Sequence, residues 1–154
     1  MSELVEIDRA EYARFLEWKR AQARQEENLQ TVRAVLAAEG EGDTEAFFAP
    51  FSAKSEFWMN AASPDTGDLQ GVAAQQAAFE HFMGLLVSGI SMNITHALTT
   101  GDWVVTETEG TAETLDGRPY NAHYCQLWKF DGAEIVKVRE YLDTKLLAET
   151  FASE

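Results

Sequence analysis

The stretch PYNAHYCQLWKFDGAEIVKVREYL, residues 119–142, contains two segments of alternating side-chain character separated by Asp131-Gly132. A period of two is typical of β-strands, and Asp-Gly between two such segments indicates a hairpin. Turn signals of the same kind, Gly101-Asp102 and Asp116-Gly117, occur upstream. The chain is therefore predicted to contain four antiparallel strands in series, at Ile90–Leu98, Trp103–Thr114, Pro119–Phe130 and Glu134–Leu142.

The first half of the chain is predicted to be mainly helical. Residues Glu11–Ala38 lack Gly and Pro and are rich in residues that favour helices, and Asp43 is a suitable N-cap for the next helix. The helices, followed by a sheet, predict an α+β domain with helices packed on one face of the sheet. The other predicted elements are helices at Thr44–Phe48, Val72–Val87 and Thr144–Phe151, a strand at Ser55–Asn60 and a loop at Ala61–Gly71.

Composition and charge restrict the function. A chain of 154 residues suits one domain, and neither a membrane span nor a signal leader is expected. The single Cys125 excludes an internal disulfide and leaves no zinc-like spacing, so we expect no metal and a cytoplasmic protein. The formal net charge of −14 would repel a phosphate backbone, so nucleic acid is not an expected partner.

Glu140 is the strongest candidate for a functional residue. In the last predicted strand, alternation places Val136, Val138, Glu140 and Leu142 on one face and Ile135 on the other. A carboxylate among aliphatic residues loses hydration, which raises its pKa towards the range that a general acid or base needs. The alternative is a carboxylate held by a buried hydrogen bond with no further role.

The neighbouring strands predict a lined cavity. One face of the third strand carries Tyr120, Tyr124 and Trp128 with Gln126 as an isolated polar group, and the second strand offers mainly small inward residues, including Thr108. His96 shares a face with Ile94 and is predicted to point inward, either as a second proton carrier or as a satisfied core residue. His81, on the helix before the strands, is a further candidate.

The order and spacing of these motifs resemble the SnoaL-like group of the ketosteroid-isomerase/NTF2-like superfamily. The resemblance covers about Glu27 to Phe151, and its strongest parts are 115–121, Asp131-Gly132 and 138–144. It implies a cone of curved antiparallel sheet wrapped around an apolar pocket and closed by helices, commonly in a homodimer. Residues 1–25 lie outside it and are predicted to form a helical extension to a domain at 26–154.

The resemblance also implies roles for individual residues. Glu140 falls where epoxide hydrolases of this fold carry an Asp base and phenazine-pathway proteins carry a Glu, and His81 falls on the helix that supplies a pocket His in the latter. Asn60 matches an Asn that helps to hold the hydrolytic water, whereas Trp58 replaces a Tyr. The hydrolase Arg and second Asp would fall near Thr108 and Gly110 and are missing, which argues against epoxide hydrolysis.

The leading hypothesis is a cofactor-independent acid–base enzyme of isomerase, polyketide-cyclase or dehydratase (lyase) type. It would act on a mostly apolar, oxygenated small molecule, with Glu140 as base or acid. A non-catalytic binding protein with the same pocket and a purely structural role are the alternatives. The remaining predicted site residues, in catalytic or substrate-binding roles, are His96, His81, Trp58, Asn60, Thr108, Tyr124, Gln126, Trp128 and Leu142.

Overall fold

The structure, a computed structural model, describes residues 6–61 and 67–152. The predicted loop at Ala61–Gly71 therefore lies partly outside the described residues, as does the start of the predicted N-terminal extension. The helices are α1 (Arg9–Glu41), α2 (Thr44–Phe48), α3 (Val72–Met83) and α4 (Thr144–Phe151); the strands are β1 (Phe51–Met59), β2 (Asp68–Gln70), β3 (Ser91–Thr100), β4 (Trp103–Glu113), β5 (Pro119–Asp131) and β6 (Glu134–Leu142).

The six strands form one curved sheet in the order β2-β1-β6-β5-β4-β3. The predicted meander is confirmed, because β3 to β6 pair with one another in sequence and are antiparallel. β1 joins the other side of β6 in parallel, and β2 adds a short antiparallel edge within the segment predicted as a loop. The α+β prediction is thus correct, with β2 as an addition.

Helix ends follow from local chemistry. Asp8 caps α1 by accepting hydrogen bonds from the backbone N–H groups of Ala10 and Glu11, at 2.7 and 2.9 Å. The helix ends at Gly42, whose positive φ of 68° is readily adopted by glycine. Asp43 caps α2 as predicted. No helix in the described part of the chain combines the length and the apolar character needed to cross a membrane.

The core lies between the concave face of the sheet and the helices. α1 contributes Val32, Val35 and Leu36, all essentially inaccessible to solvent, and the sheet contributes Trp128 and Phe130. Every buried side chain of α1 lies between Asn28 and Glu39, in the last part of the helix. The first part, upstream of the predicted boundary at residue 25, continues the same helix away from this core.

Two β-bulges change the predicted side-chain directions. In β3 the pairing passes from Ile94 opposite Thr108 to His96 opposite Glu107, so one extra residue reverses the alternation. His96 therefore points outward, and its predicted inward direction is wrong. A second shift, between Lys129 and Phe130 of β5, turns Ile135 into the core, although alternation predicted that it lies on the outer face.

Candidate functional site

A cavity lies between the concave face of the sheet and helices α1 to α4, offering about 140 Å³ to water-sized molecules. Its wall is mainly aromatic and aliphatic, and among the described lining residues there is no Lys, Arg or His. The wall also contains two carboxyl groups, those of Glu39 and Glu140, and two amides, those of Gln75 and Gln126. The aromatic wall includes Phe47, Phe48, Phe51, Phe79, Tyr124 and Trp128.

Glu140 lies on this wall, near the end of β6 and directly opposite Gln126 of β5. The amide Nε2 of Gln126 donates a hydrogen bond of 2.9 Å to Glu140 Oε2. Burial raises the pKa of Glu140 to about 7, because the charged form loses its hydration, and the hydrogen bond from Gln126 offsets only part of that effect. Glu140 is therefore a carboxyl group that titrates near neutral pH beside an apolar space.

A chain of hydrogen bonds determines which end of the Gln126 amide faces Glu140. The indole of Trp128 can only donate, and it donates to Thr106 Oγ1 at 3.1 Å. Thr106 Oγ1 in turn donates to Gln126 Oε1 at 3.1 Å, and Thr108 Oγ1 lies 3.4 Å from the same oxygen. The amide oxygen is thus held by two hydroxyls, and the NH₂ group is directed at Glu140.

The side chains of Tyr120 and Tyr124 add hydroxyls to the same cavity. Tyr124 Oη donates to Tyr120 Oη at 3.2 Å, and burial raises the pKa of both phenols, which keeps them neutral donors. Gly110 of β4 makes room for the ring of Tyr124, since a Cβ on Gly110 would lie 2.7 Å from Tyr124 Cε2. The small inward face predicted for β4 thus leaves space that an aromatic side chain partly occupies.

Glu39 is a cavity residue that the sequence analysis missed. It stands near the C-terminal end of α1, is 9% exposed and lines the cavity with Glu140. Burial, and then the negative charge of Glu140, raise its pKa well above the ordinary value. Helical spacing could have revealed it, since Glu39 follows Val32 by seven residues and Val35 by four, on the same stripe.

Gly89 allows Glu39 to occupy this place. A Cβ on Gly89 would come within 1.9 Å of the Glu39 carbonyl oxygen, so the loop before β3 packs directly against the end of α1. This contact is between backbone groups and leaves no flexible side chain to give way. The position of Glu39 in the wall therefore depends on a glycine 50 residues later in the chain.

Gln75 of α3 is the second amide side chain of the wall, after Gln126. Its Nε2 donates to the Ser55 carbonyl oxygen at 2.7 Å and lies 3.1 Å from Ser55 Oγ. The carbonyl can only accept, so the Gln75 amide nitrogen must face β1. Its Oε1 is then left buried, without a hydrogen-bond partner among the described residues. Gln75 thus ties α3 to the middle of β1.

Three predicted site residues lie away from the cavity. His96 is on the outer face, where its Nδ1 pairs with Glu107 Oε2 at 3.0 Å. His81 is exposed on α3 and is not among the lining residues. Trp58 also faces outward and packs edge-on against Tyr141, with the ring centroids 5.3 Å apart, while its neighbours Phe57 and Met59 line the cavity.

Asn60 is next to the site but outside its wall. Its Nδ2 donates to the Leu142 carbonyl oxygen at 3.2 Å, and its Oδ1 accepts from the Leu142 N–H at 3.1 Å. The Asn60 N–H donates to the Glu140 carbonyl oxygen. Asn60 therefore holds the backbone on which Glu140 stands. The other predicted side chains are brought together: Tyr124, Gln126, Trp128 and Leu142 line the cavity, and Thr108 lies behind Gln126.

The donor set of the site is that of proton transfer and hydrogen bonding. Within residues 6–61 and 67–152, no group of three or more His, Cys, Asp or Glu has a metal-binding arrangement. The two carboxyls, two phenols and Gln126 can accept, donate or move protons. The aromatic wall supplies apolar contact.

Comparison with solved structures identifies the architecture. Bal32a, from a soil-derived mobile gene cassette, is 25% identical to this chain, with a TM-score of 0.73. The matched region covers 82% of this chain and 97% of Bal32a. An NTF2-like protein from Burkholderia xenovorans LB400 is 22% identical over 81% and 95%, with a TM-score of 0.64. TerC, co-crystallised with polyporic acid, is 18% identical over 82% and 99%, with a TM-score of 0.72.

Sequence comparison agrees with these structures. No curated protein matches the chain. The SnoaL-like domain family matches residues 32–138, more than half of the chain, and this range includes α2, α3 and strands β1 to β5. Together with the curved sheet and the cavity on its concave face, this match shows that the chain is a member of the SnoaL-like domain family and has the NTF2-like fold.

Proposed function

We propose that the protein is a cofactor-independent acid–base enzyme that moves a proton on a small, mostly apolar, oxygenated molecule. The reaction would be of isomerase, cyclase or dehydratase type, with Glu140 as the base. The observation that carries the proposal is the Glu140 carboxyl group on an apolar wall, with a pKa of about 7 and a fixed amide donor. A base is most effective when its pKa lies near the working pH.

The cavity indicates the size of the substrate. An engineered apolar cavity of about 150 Å³ binds benzene in another protein, so a space of about 140 Å³ suits a body of one ring. The aromatic wall favours an apolar body by excluding water from it. The hydroxyl proton of Tyr120 is available to a carbonyl or hydroxyl oxygen of that body, because Tyr124 donates its own proton to Tyr120.

Glu39 supplies the complementary acid in this proposal. Burial, and then the negative charge of an ionised Glu140, raise the pKa of Glu39 and favour its protonated form. In the proposed step, Glu140 takes a proton from the carbon next to a carbonyl, and the electron pair moves to the carbonyl oxygen. The protonated Glu39 or a tyrosine hydroxyl donates a hydrogen bond to that oxygen. Glu140 then returns the proton to the product.

The experiment follows hydrogen–deuterium exchange next to the carbonyl of cyclohexanone and cyclohex-2-enone in D₂O by NMR. We expect the wild-type protein to accelerate exchange, with half of the maximal rate near pH 7. Glu140→Gln should lower the acceleration by about 10²- to 10⁴-fold. Glu107→Gln is the matched control, because Glu107 is an exposed glutamate on the outer face. Equal rates for wild type and Glu140→Gln would refute the mechanism.

A non-catalytic binding protein is the second candidate. TerC, which shares the fold, was crystallised with polyporic acid, so this architecture holds small organic molecules. The carboxyl pair would then select a ligand with hydrogen-bond donors. Binding of cyclohexanone seen as chemical-shift changes, without accelerated exchange by any variant, would favour this function over catalysis.

Two further expectations concern the location and the oligomeric state of the protein. The single Cys125 and the acidic composition are in keeping with a cytoplasmic protein, and cell fractionation would test the location. A homodimer is the other expectation, inherited from the resemblance to the superfamily. Sedimentation velocity of the full chain would test it.

A further inference from the structure

The cavity contains acidic groups and no basic group to balance them. Glu39 and Glu140 both line it, and neither takes part in an ion pair within the described ranges 6–61 and 67–152. When Glu140 ionises, its negative charge therefore stands in an apolar space without a positive partner. The net charge of −14 on the whole chain adds a field that attracts cations and raises their concentration near the protein.

Aromatic rings surround Glu140 on both neighbouring strands. Glu140 lies opposite Gln126 of β5 on one side and opposite Met59 of β1 on the other. Residues two places along a strand share its face, and such diagonal neighbours lie about 7–8 Å apart, within reach of an aromatic side chain. The diagonal neighbours of Glu140 that carry rings are Phe57, Tyr124 and Trp128, and all three line the cavity.

This combination of groups is suited to a particular kind of cation. The face of an aromatic ring is negative and attracts a cation within about 6 Å of its centre, and quaternary ammonium groups are bound in proteins by cages of such rings. A carboxylate beside the rings adds a full negative charge. A trimethylammonium group presents methyl groups to an apolar wall and still carries the charge that Glu140 lacks as a partner.

Other cations fit the wall less well. A primary ammonium group has three N–H donors, each of which needs an acceptor when it is buried. The Gln126 oxygen is already held by Thr106 and Thr108. A Ca²⁺ or Mg²⁺ ion needs a shell of oxygen ligands, and no acidic cluster with a metal-binding arrangement occurs in the described part of the chain. The wall therefore favours a cation with few or no N–H groups.

We propose that the cavity binds a small tertiary or quaternary ammonium ion, with its charge beside Glu140 and its methyl groups against Phe57, Tyr124 and Trp128. The ion would compete with an oxygenated substrate, since the inference rests on the cavity and the carboxyl group of the proposed function. Size permits this: choline has the same number of non-hydrogen atoms as cyclohexanone, and a cavity of about 140 Å³ suits a body of one ring.

Binding of such an ion should depend on pH, because it requires an ionised Glu140. With a pKa of about 7, the ionised fraction of Glu140 rises from about one tenth at pH 6 to about nine tenths at pH 8. The affinity should rise about tenfold over this range. The other titratable groups that face Glu140 are Glu39 of α1 and Tyr120 and Tyr124 of β5, whereas the described lining residues of β1, β2, α2, α3 and α4 are uncharged.

The test compares choline with its neutral isostere 3,3-dimethylbutan-1-ol, in which a carbon atom replaces the nitrogen. Both are titrated into the full chain at pH 6 and pH 8, and binding is followed by NMR chemical-shift changes. We expect choline to bind at least tenfold more tightly than the isostere at pH 8. At pH 6 choline should lose about tenfold in affinity, and the isostere should show no such loss.

Variants assign the preference to the carboxyl group and the rings. Glu140→Gln should lower the preference for choline at least tenfold at pH 8, and Glu107→Gln is the control, since it makes the same change in net charge at an exposed site. Phe57→Leu keeps an apolar side chain without a ring, so choline should lose about threefold to tenfold in affinity and the isostere should change little. Circular dichroism checks that each variant is folded.

Equal affinities of choline and the isostere for the wild-type protein at pH 8 would overturn the proposal. So would a preference for choline that is unchanged in Glu140→Gln. The outcome is distinct from that of the proposed function, because no reaction is measured. A failure of choline selectivity leaves proton exchange on cyclohexanone intact, and a failure of exchange leaves the binding of choline intact.

Discussion

Glu140 and Glu107 are two glutamates of one sheet with opposite environments. Glu140 faces the cavity, receives a hydrogen bond from Gln126, and has its pKa raised to about 7 by burial. Glu107 faces outward and pairs with His96, but the two side chains are 63% and 76% exposed. Neighbouring residues of a strand face opposite sides of the sheet. The side that a glutamate faces therefore decides whether its carboxyl group is buried, with a raised pKa, or solvated.

The largest expected effect concerns the pH dependence of stability. The pKa of Glu140 is about 7 in the folded chain and about 4.3 in the unfolded one, so between these values the folded state holds a proton that the unfolded state has released. The free energy of unfolding therefore falls as pH rises from about 4 to 7, by about 3 kcal/mol from this group.

Glu140→Gln should remove that contribution, so the variant should gain stability relative to wild type as pH rises. Urea unfolding of both proteins at pH 5 and pH 8 measures the difference. Glu107→Gln, on the outer face, is the matched control. A Glu140→Gln difference that is the same at both pH values would contradict the assigned environment.

The second prediction disturbs the other cavity carboxyl through the backbone. Gly89→Ala places a Cβ against the Glu39 carbonyl oxygen, where 1.9 Å is too short for any contact. We expect a loss of about 1–3 kcal/mol of unfolding free energy, as for other overpacked sites. Thermal unfolding measures it, and Gly132→Ala is a control at a turn with no neighbour within 4 Å but with positive φ. A loss for Gly89→Ala no larger than for Gly132→Ala would show that the end of α1 moves freely.

A third, smaller effect should follow from breaking the hydrogen-bond chain behind Glu140. Thr106→Val keeps the shape but leaves Trp128 Nε1 and Gln126 Oε1 each without one partner. The expected cost is about 1–2 kcal/mol. Because Gln126 is then less firmly oriented, the pKa of Glu140 should rise further, which a carbon-detected NMR titration would measure.

Thr108→Val is the comparison for this experiment. Its hydroxyl lies 3.4 Å from Gln126 Oε1, a longer and weaker contact than that of Thr106. We expect a smaller change in both stability and the pKa of Glu140. Equal effects of the two valine variants would mean that Thr106 does not orient the amide.

The smallest effect is expected on the outer face. His96→Ala removes the pair with Glu107, and exposed ion pairs contribute about 0–1 kcal/mol. The expected change in unfolding free energy is below about 0.5 kcal/mol at pH 6, and proton exchange on cyclohexanone should be unaffected. A large loss of exchange activity in His96→Ala would mean that His96 takes part in the reaction, and would contradict its assignment to the outer face.

Much of the fold could be predicted because it depends on local patterns. The inward face of β5 is as alternation predicts, since Tyr120, Tyr124 and Trp128 are all buried. Glu140 was placed correctly on the cavity side despite the bulge. The register shift falls where β5 passes from Lys129 to Phe130, opposite the start of β6, so it lies upstream of Glu140. His96 was misplaced because its bulge lies between it and Ile94, the residue from which its direction was counted, and the sequence shows no Gly or Pro there to signal one.

The sequence by itself determined the strand order along the chain, the turns at Asp-Gly, the cap at Asp43, and the isolation of Glu140 among aliphatic residues. Each of these depends on contacts within a few residues. Only the tertiary structure decided that Glu39 shares a cavity with Glu140 and that Gly89 permits it, because these residues meet through packing between distant segments. The bulges belong to the same class, since pairing between strands, rather than local preference, sets which side of the sheet a residue faces.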